Sequence, residues 1–447
     1  MDKVSYQNME TKFGFAISMY SDETQNYEYM NQENAYGWYT SDGAVYLYND
    51  DLSHYNDNYW ATVNPYHIPG TTIIPGEREV GSGMVTLPSS FVGGTKLDEL
   101  TASVAMEFSN WNSTLQANKS WFILNDKVVF LGSNIQQSGD TSAITTIENR
   151  KNNQDTSYTV LVNGDEYQVK DGQKEISDVR SLLLKSSNNQ DMNIGYTFLE
   201  DTDLTYLNET NQGSWQEINA SQSDQIYQNN FSTFYQTHDE GNDSYAYVMY
   251  PNISEDKLAA TEKDQSIEVI QNDETAQAIY DKELNSWGIV LYEDQGFKVD
   301  ENLTVTKQGI YSIKKEKNQY SLSYYNPSDE IYPEGTIVSD LTQEVSKEAT
   351  AEDMSTIVTL LISQTGDTGG DKDKDEDKKL DEGNGSNNSS GTGSGSNTNG
   401  DSGTSNVSDK KSLPQTGELL MNPLVQIVGI SLVIVAGVLN YRRKKIK

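Results

Sequence analysis

From residue 1 to about residue 360 the chain is written in short apolar runs closed off by Asn, Asp and Gly, and helical periodicity is scarce. Runs of that length and spacing suit strands of antiparallel sheets, not crossover helices on a parallel sheet. "WFILNDKVVFLG" (Trp121–Gly132) places two apolar runs either side of Asn125-Asp126-Lys127, and "YTVLVNGDEYQV" sets Asn163-Gly164 between two strand-like segments. Both read as hairpins, the second with a type I′ turn because Asn-Gly tolerates two positive φ angles. Further strands are expected at Ala246–Tyr250, Trp287–Tyr292 and Asn302–Thr306, and at "GIYSIKK" and "YSLSYY". Only Ala349–Ile362 carries a helix-like stretch, weakened by its Thr and Val. The fold class is therefore all-β, built as antiparallel sandwiches, with a soft boundary at Asn252–Ser266 where polar density rises.

The 447 residues are enough for two or three folded domains. They hold 32 Lys+Arg against 67 Asp+Glu, a formal net charge of −35, no Cys and three His. Without Cys there is no disulfide framework, thiolate metal site or thiol nucleophile, and three scattered imidazoles leave almost no means of building a zinc site. No P-loop, G-x-S-x-G, H-E-x-x-H or dinucleotide fingerprint occurs, so neither a metal nor a cofactor is expected. So acidic a chain lacks the clustered basic surface that phosphate neutralisation needs, which excludes nucleic acid as a partner. His54, His67 and His238 are isolated from one another and read as hydrogen-bonded structural residues.

The block from Tyr27 to Thr72 is dense in Tyr, Trp, Asn and Asp. Aromatic planes beside amides and carboxylates suit a sugar, whose CH faces stack on rings while its hydroxyls take directional hydrogen bonds. A solvated sandwich edge with aromatic core residues would have the same composition.

From Thr365 to Ser412 the sequence becomes a charged spacer and then a Gly/Ser/Asn linker without an aromatic residue, a stretch unable to bury enough surface to fold. Leu413, Pro414, Gln415, Thr416 and Gly417 follow, then the apolar run Leu424–Leu439 and the basic end "NYRRKKIK". As a helix that run reaches about 24 Å, just short of a full span unless flanking residues join it, and Arg442, Arg443, Lys444 and Lys445 would hold the end on the cytoplasmic side. This order resembles the sorting signal of Gram-positive surface proteins, which implies a sortase that cleaves between Thr416 and Gly417 and links Thr416 to peptidoglycan. The membrane is then a partner only before sorting, whereas an ordinary tail anchor would keep it. Because the N-terminus has no basic start, sustained apolar core or small-residue cleavage site, the expectation is that this chain is the back part of a longer exported protein.

"ENAYGWYTSDGAVYLYN", "YWATVNPYHIPGTT" and "KSWFILNDKVVFLGSNI", with "NIGYTF", "GSWQEIN" and "GNDSYAYVMYPN" after them, are similar to the β domains of polysaccharide lyase family 8, nearest to its hyaluronate lyases. The resemblance implies a large β-sandwich (1–258) and a smaller one (259–345), ahead of the weakly structured segment and linker (346–412) and the sorting signal with its hydrophobic helix (413–447). It also implies β-elimination on a uronic-acid polysaccharide such as hyaluronan or chondroitin, with the His, Tyr, Asn and Arg that transfer protons and neutralise the carboxylate on a helical domain this sequence does not include. By the same resemblance Glu33 orients a catalytic Tyr or Arg across the cleft, Asn34 contacts the sugar or its carboxylate, and Trp38 joins the substrate-binding residues. Alternatively Glu33-Asn34 merely cap a turn before a Tyr36–Tyr39 strand. The chain alone is then expected to be inactive. The rival expectation is a non-enzymatic surface adhesin that binds glycan through the same domains.

Overall fold

The computed structural model describes residues 2–362, apart from 153–155, 240–242, 329–336, 339–341 and 350–355. Among them, a nine-stranded antiparallel sheet organises the rest. From edge to edge it runs Asp165–Glu166, Tyr158–Val162, Ser181–Ser186, Ile194–Phe198, Asp243–Pro251, Lys127–Gln137, Leu115–Leu124, Thr101–Ser109 and Val92–Lys96. Its central strands are the near-continuous apolar runs of the sequence, and the reason is burial on both faces. Trp121, Ile123, Val128, Phe130, Tyr245 and Tyr247 point to one core, while Phe122, Leu124, Val129, Leu131, Ala246 and Val248 point to the other.

The first face is covered by two smaller sheets. One comprises Lys3–Asn8, Phe13–Ser18 and Ala44–Tyr48; the other runs Gly172–Ile176, Leu204–Ser214, Ile226–His238, Ala143–Asn152 and Thr72–Ile73. Phe13, Phe15, Ile17, Ile147, Tyr206 and Phe234 bring them into the shared core. At roughly 1.5–3 kcal/mol for each fully buried large apolar side chain, this core is the main source of cohesion. The second face packs on helix Glu255–Lys263, capped by the Ser254 hydroxyl accepting from Lys257 N–H, and on a seven-stranded sheet. That sheet runs Ile267–Asn272, Ala276–Asp281, Ser286–Leu291, Gly309–Glu316, Gln319–Tyr325, Thr356–Ile362 and Thr342–Ala349. Its outer side meets the short strands Phe297–Lys298 and Thr304–Val305 through Trp287, Ile289, Phe297 and Val305.

The expected hairpins are present. Leu124 pairs with Lys127 across a two-residue turn, and Val162 pairs with Asp165 around Asn163 (φ 53°) and Gly164 (φ 87°), the two positive angles of a type I′ turn. The helix-like reading of Ala349–Ile362 does not hold for Thr356–Ile362, while 350–355 lie outside the described residues. Thr356–Ile362 is a strand between Gln319–Tyr325 and Thr342–Ala349, because the β-branched run Thr356-Ile357-Val358-Thr359 prefers a pleated ladder to a helical turn. The smaller sandwich thus draws on residues past 345. The linker, residues 413–417, the run 424–439 and the basic end lie outside the described residues, and no helix among the described ones is long and apolar enough to cross a membrane.

Candidate functional site

The Tyr27–Thr72 block folds into turns laid over the five-stranded sheet, with strand Ala44–Tyr48 and the one-turn helix Tyr59–Thr62 inside it. Asn31, Gln32 and Asn34 all sit in the left-handed region (φ 56°, 62° and 60°). A segment that winds this way cannot continue a strand, and it stays ordered because its polar groups are bonded. Ala35 N–H donates to Ile218 O (3.0 Å), Ala220 N–H to Gln32 O (3.1 Å) and Asn34 Nδ2 to Glu28 O (2.8 Å). The helix Trp215–Ile218, whose Ile218 O takes the first of these bonds, is fixed by a Ser214/Glu217 capping box. Tyr36–Tyr39, expected as a strand in the capping alternative, is a run of turns; Gly37 N–H bonds Asn34 O, and a Cβ on Gly37 would stand 2.5 Å from the Asn34 amide.

Two adjoining cavities of about 460 and 670 Å³ share Tyr36, Trp60, Val63, Pro65 and Ile218 and form a groove. Asn34 and Trp215 line the first, Trp38, Asn64, Arg78 and Glu217 the second. Half-buried Tyr36, Trp60 and Trp215 offer ring surface, and Trp215 Nε1 is steadied by Asn58 Oδ1 at 2.9 Å. The sequence-predicted residues fare differently. Asn34 faces the groove, although its amide is already engaged by Glu28. Glu33 is exposed on the turn and lines neither cavity. Trp38 is only 2% exposed and packs with Tyr27 and Tyr39 beneath the groove, so it is less a platform than the support of one. Trp60 and Tyr36 lay within the aromatic block; Arg78 and Trp215 come from elsewhere in the chain, and no local motif announced Arg78.

Charge behind the groove is buried. Lys119, fully buried, donates to Asp42 O (3.1 Å) and Gly70 O (2.5 Å) and lies over the Phe108 and Trp121 rings. Burial pushes the Asp42 carboxyl up to about 7, Arg78 and Lys119 opposing it, and pulls the Lys119 ammonium down to about 7 against the attraction of Asp42. The three histidines are structural, as expected. His238 is held by Thr145 Oγ1 (2.7 Å) and Asp243 Oδ2 (3.1 Å), His67 stacks on Tyr235, and His54 Nδ1 accepts from Lys151 N–H. Burial lowers His67 to about 4 and His54 well below its ordinary value, so both are neutral. No histidine lines the groove, and burial raises the Tyr36 hydroxyl away from deprotonation near neutrality. Among the described residues no group of three or more His, Cys, Asp or Glu could hold a metal. The arrangement can stack and hydrogen-bond a sugar, and Glu77 and Glu217 are the carboxylates that line it.

Residues 1–262 match the super-sandwich domain of polysaccharide lyase family 8, and residues 268–331 match that family's C-terminal β-sandwich domain. The chain belongs to polysaccharide lyase family 8. Similar family 8 proteins include a hyaluronate lyase of Staphylococcus aureus (strain NCTC 8325 / PS 47), 38% identical over 332 residues that make up 73% of this chain and 40% of that protein. A xanthan lyase of Bacillus sp. (strain GL1) is 31% identical, covering 78% of this chain and 37% of its own length. The solved structure of a Paenibacillus xanthan lyase superposes with a TM-score of 0.73 at 29% identity, over 83% of this chain and 37% of that one. This chain therefore spans two fifths or less of the length of these family 8 relatives.

Proposed function

We propose that this chain provides the β-sheet wall of the substrate cleft in a family 8 lyase that cleaves a uronic-acid polysaccharide, hyaluronan or chondroitin, by β-elimination. The observation that carries the reading is the aromatic groove at the Glu33–Tyr39 turns, in a family whose named members include hyaluronate and xanthan lyases. In the elimination a base takes the proton beside the carboxylate while an acid protonates the departing glycosidic oxygen. On this reading these groups come from protein outside the described domains. Rings of Tyr36, Trp60 and Trp215 hold the sugar faces, Asn34 marks the position of the carboxylate-bearing unit, and exposed Glu33 reaches across the cleft to orient a catalytic group. The sequence of residues 413–417, 424–439 and the basic end supports a second part of the proposal: a sortase joins Thr416 to peptidoglycan after a transient stay in the membrane.

The same aromatic groove would also serve a glycan-binding surface protein without lyase activity. Incubating this chain with hyaluronan or chondroitin sulfate and following the ultraviolet absorbance of an unsaturated product tests the division of labour. The expected result is a flat trace; steady growth would refute placing the proton-transfer groups elsewhere. Supplying the same β domains joined to the remainder of the protein should produce that growth. A flat trace there too would decide for the adhesin.

A further inference from the structure

We propose that Arg78, which lines the groove, is a positioning residue that sets its shape without donating to the glycan, an inference that rests on the groove being the glycan site. Its guanidinium carbon lies 4.7 Å from the Trp111 ring centroid, 5.0 Å from Tyr39 and 5.8 Å from Trp38, so a single planar cation is packed among three aromatic rings. Nη2 donates to Ser82 O (3.1 Å) and Gly83 O (3.2 Å), and the Arg78 backbone N–H donates to the Tyr66 hydroxyl (3.1 Å). Gly83 makes this approach possible: it sits at φ 68°, and a Cβ there would fall 2.4 Å from Nη2 and 2.8 Å from Trp111. Nε and Nη1 are shielded from solvent, and the charge and hydrogen bonding of the guanidinium to the Tyr39 hydroxyl oppose that hydroxyl's upward shift from burial.

Shielded donors cannot read a carboxylate. What Arg78 can do is fix the parts that face one. Trp38 meets Tyr36 edge-on at 5.3 Å and Tyr66 at 5.6 Å, so the cation that holds Trp38 also holds two rings of the groove wall. An ammonium cannot lie flat between rings or donate in the same fork, so lysine is no substitute here.

The test measures binding of a hyaluronan hexasaccharide to the whole chain by NMR titration, alongside melting and tryptophan emission. Arg78→Lys and Arg78→Met should each weaken binding by about tenfold or more, which corresponds to about 1.4 kcal/mol, with cooperative melting retained and the tryptophan emission shifted. Trp111 does not line the groove. Trp111→Ala should nonetheless reproduce the loss and Trp111→Phe should largely restore binding, and this pair decides the matter even if the Arg78 variants fail to fold. Parental protein that binds no hexasaccharide would overturn the groove reading itself. Parental binding kept in Arg78→Lys and Trp111→Ala would overturn the role of Arg78 and leave the groove intact. Loss in Arg78→Met with full binding in Arg78→Lys would show that charge acts directly, against positioning.

Discussion

Asn34 and Glu33 are neighbours with opposite burdens. Asn34 occupies a left-handed conformation that a β-carbon normally disfavours, and its amide closes the turn onto Glu28 O. Asn34→Ala should therefore cost about 1–2 kcal/mol, from the lost hydrogen bond and the less tolerant backbone. Glu33→Ala, at an exposed position, should leave the melting temperature within error; thermal melts of the two variants check both statements. Asp42 gives a pH signature. The folded state holds its proton up to about 7 against an ordinary 3.8, so its contribution to stability is full below that ordinary value and is lost as pH rises toward 7. Lys119 runs the other way, its contribution being full above its ordinary 10.5 and lost as pH falls to about 7, so the two together weaken the fold most near neutrality. Measured as the difference in unfolding free energy, parental protein should lose stability relative to Asp42→Asn between about pH 4 and 7, and a difference independent of pH would refute the shift. None of this was legible in composition. The sequence displayed an Asp before a Gly at residues 42–43, and only the tertiary fold brings Lys119 up beneath it.

The elements most legible in the sequence were those whose environment is uniform along their length. Strands Leu115–Leu124 and Lys127–Gln137 carry the continuous apolar runs Trp121–Leu124 and Val128–Leu131, covered on both faces, and the Asn-Gly turn at 163–164 is dictated by its own φ angles. Thr356–Ile362 was obscure because the polar residues before it mimic a helix start, while one pairing partner lies 32 to 42 residues upstream, from Tyr324 with Thr356 to Gln319 with Leu361, and the other is Thr342–Ala349. The groove was half legible for a related reason. Its aromatic block is contiguous, but Arg78 and the Trp215–Ile218 helix join it only in the tertiary fold, Arg78 through ring stacking and the Tyr66 hydroxyl and the helix through Ala35 N–H to Ile218 O. Sheet packing carries a sharper prediction. Gly288 on the seven-stranded sheet abuts Phe122 on the nine-stranded one, where an added Cβ would sit 2.1 Å from the ring. Gly288→Ala should destabilise by about 1–3 kcal/mol through overpacking, lowering the denaturant midpoint with the slope unchanged. Phe122→Leu in the same chain should return part of that loss.

At the scale of the whole molecule, a formal charge of −35 sits uneasily with the polyanionic substrate proposed above. Screening confines the repulsion to about 8–10 Å at physiological salt, so it slows approach more than it weakens a stacked complex. Tethering would ease the difficulty, since a protein fixed to the wall by a long solvated linker meets polymer already held at the cell surface. Residues 365–412 have the composition of such a linker, and Leu413–Gly417 stands at its end. If that pentapeptide is the sorting signal, acyl transfer consumes the Thr416–Gly417 bond and the apolar run is left behind. A secreted form of the protein should then be released from cells by muralytic digestion, not by detergent. Thr416→Ala blocks the transfer, so the variant should remain in the membrane fraction, held by residues 424–439 and the basic end. An ordinary tail anchor instead places both forms in the membrane and makes Thr416 irrelevant. The deciding measurement is the share of each form in wall and membrane extracts, and parental protein confined to the membrane would remove wall anchoring from the proposed function.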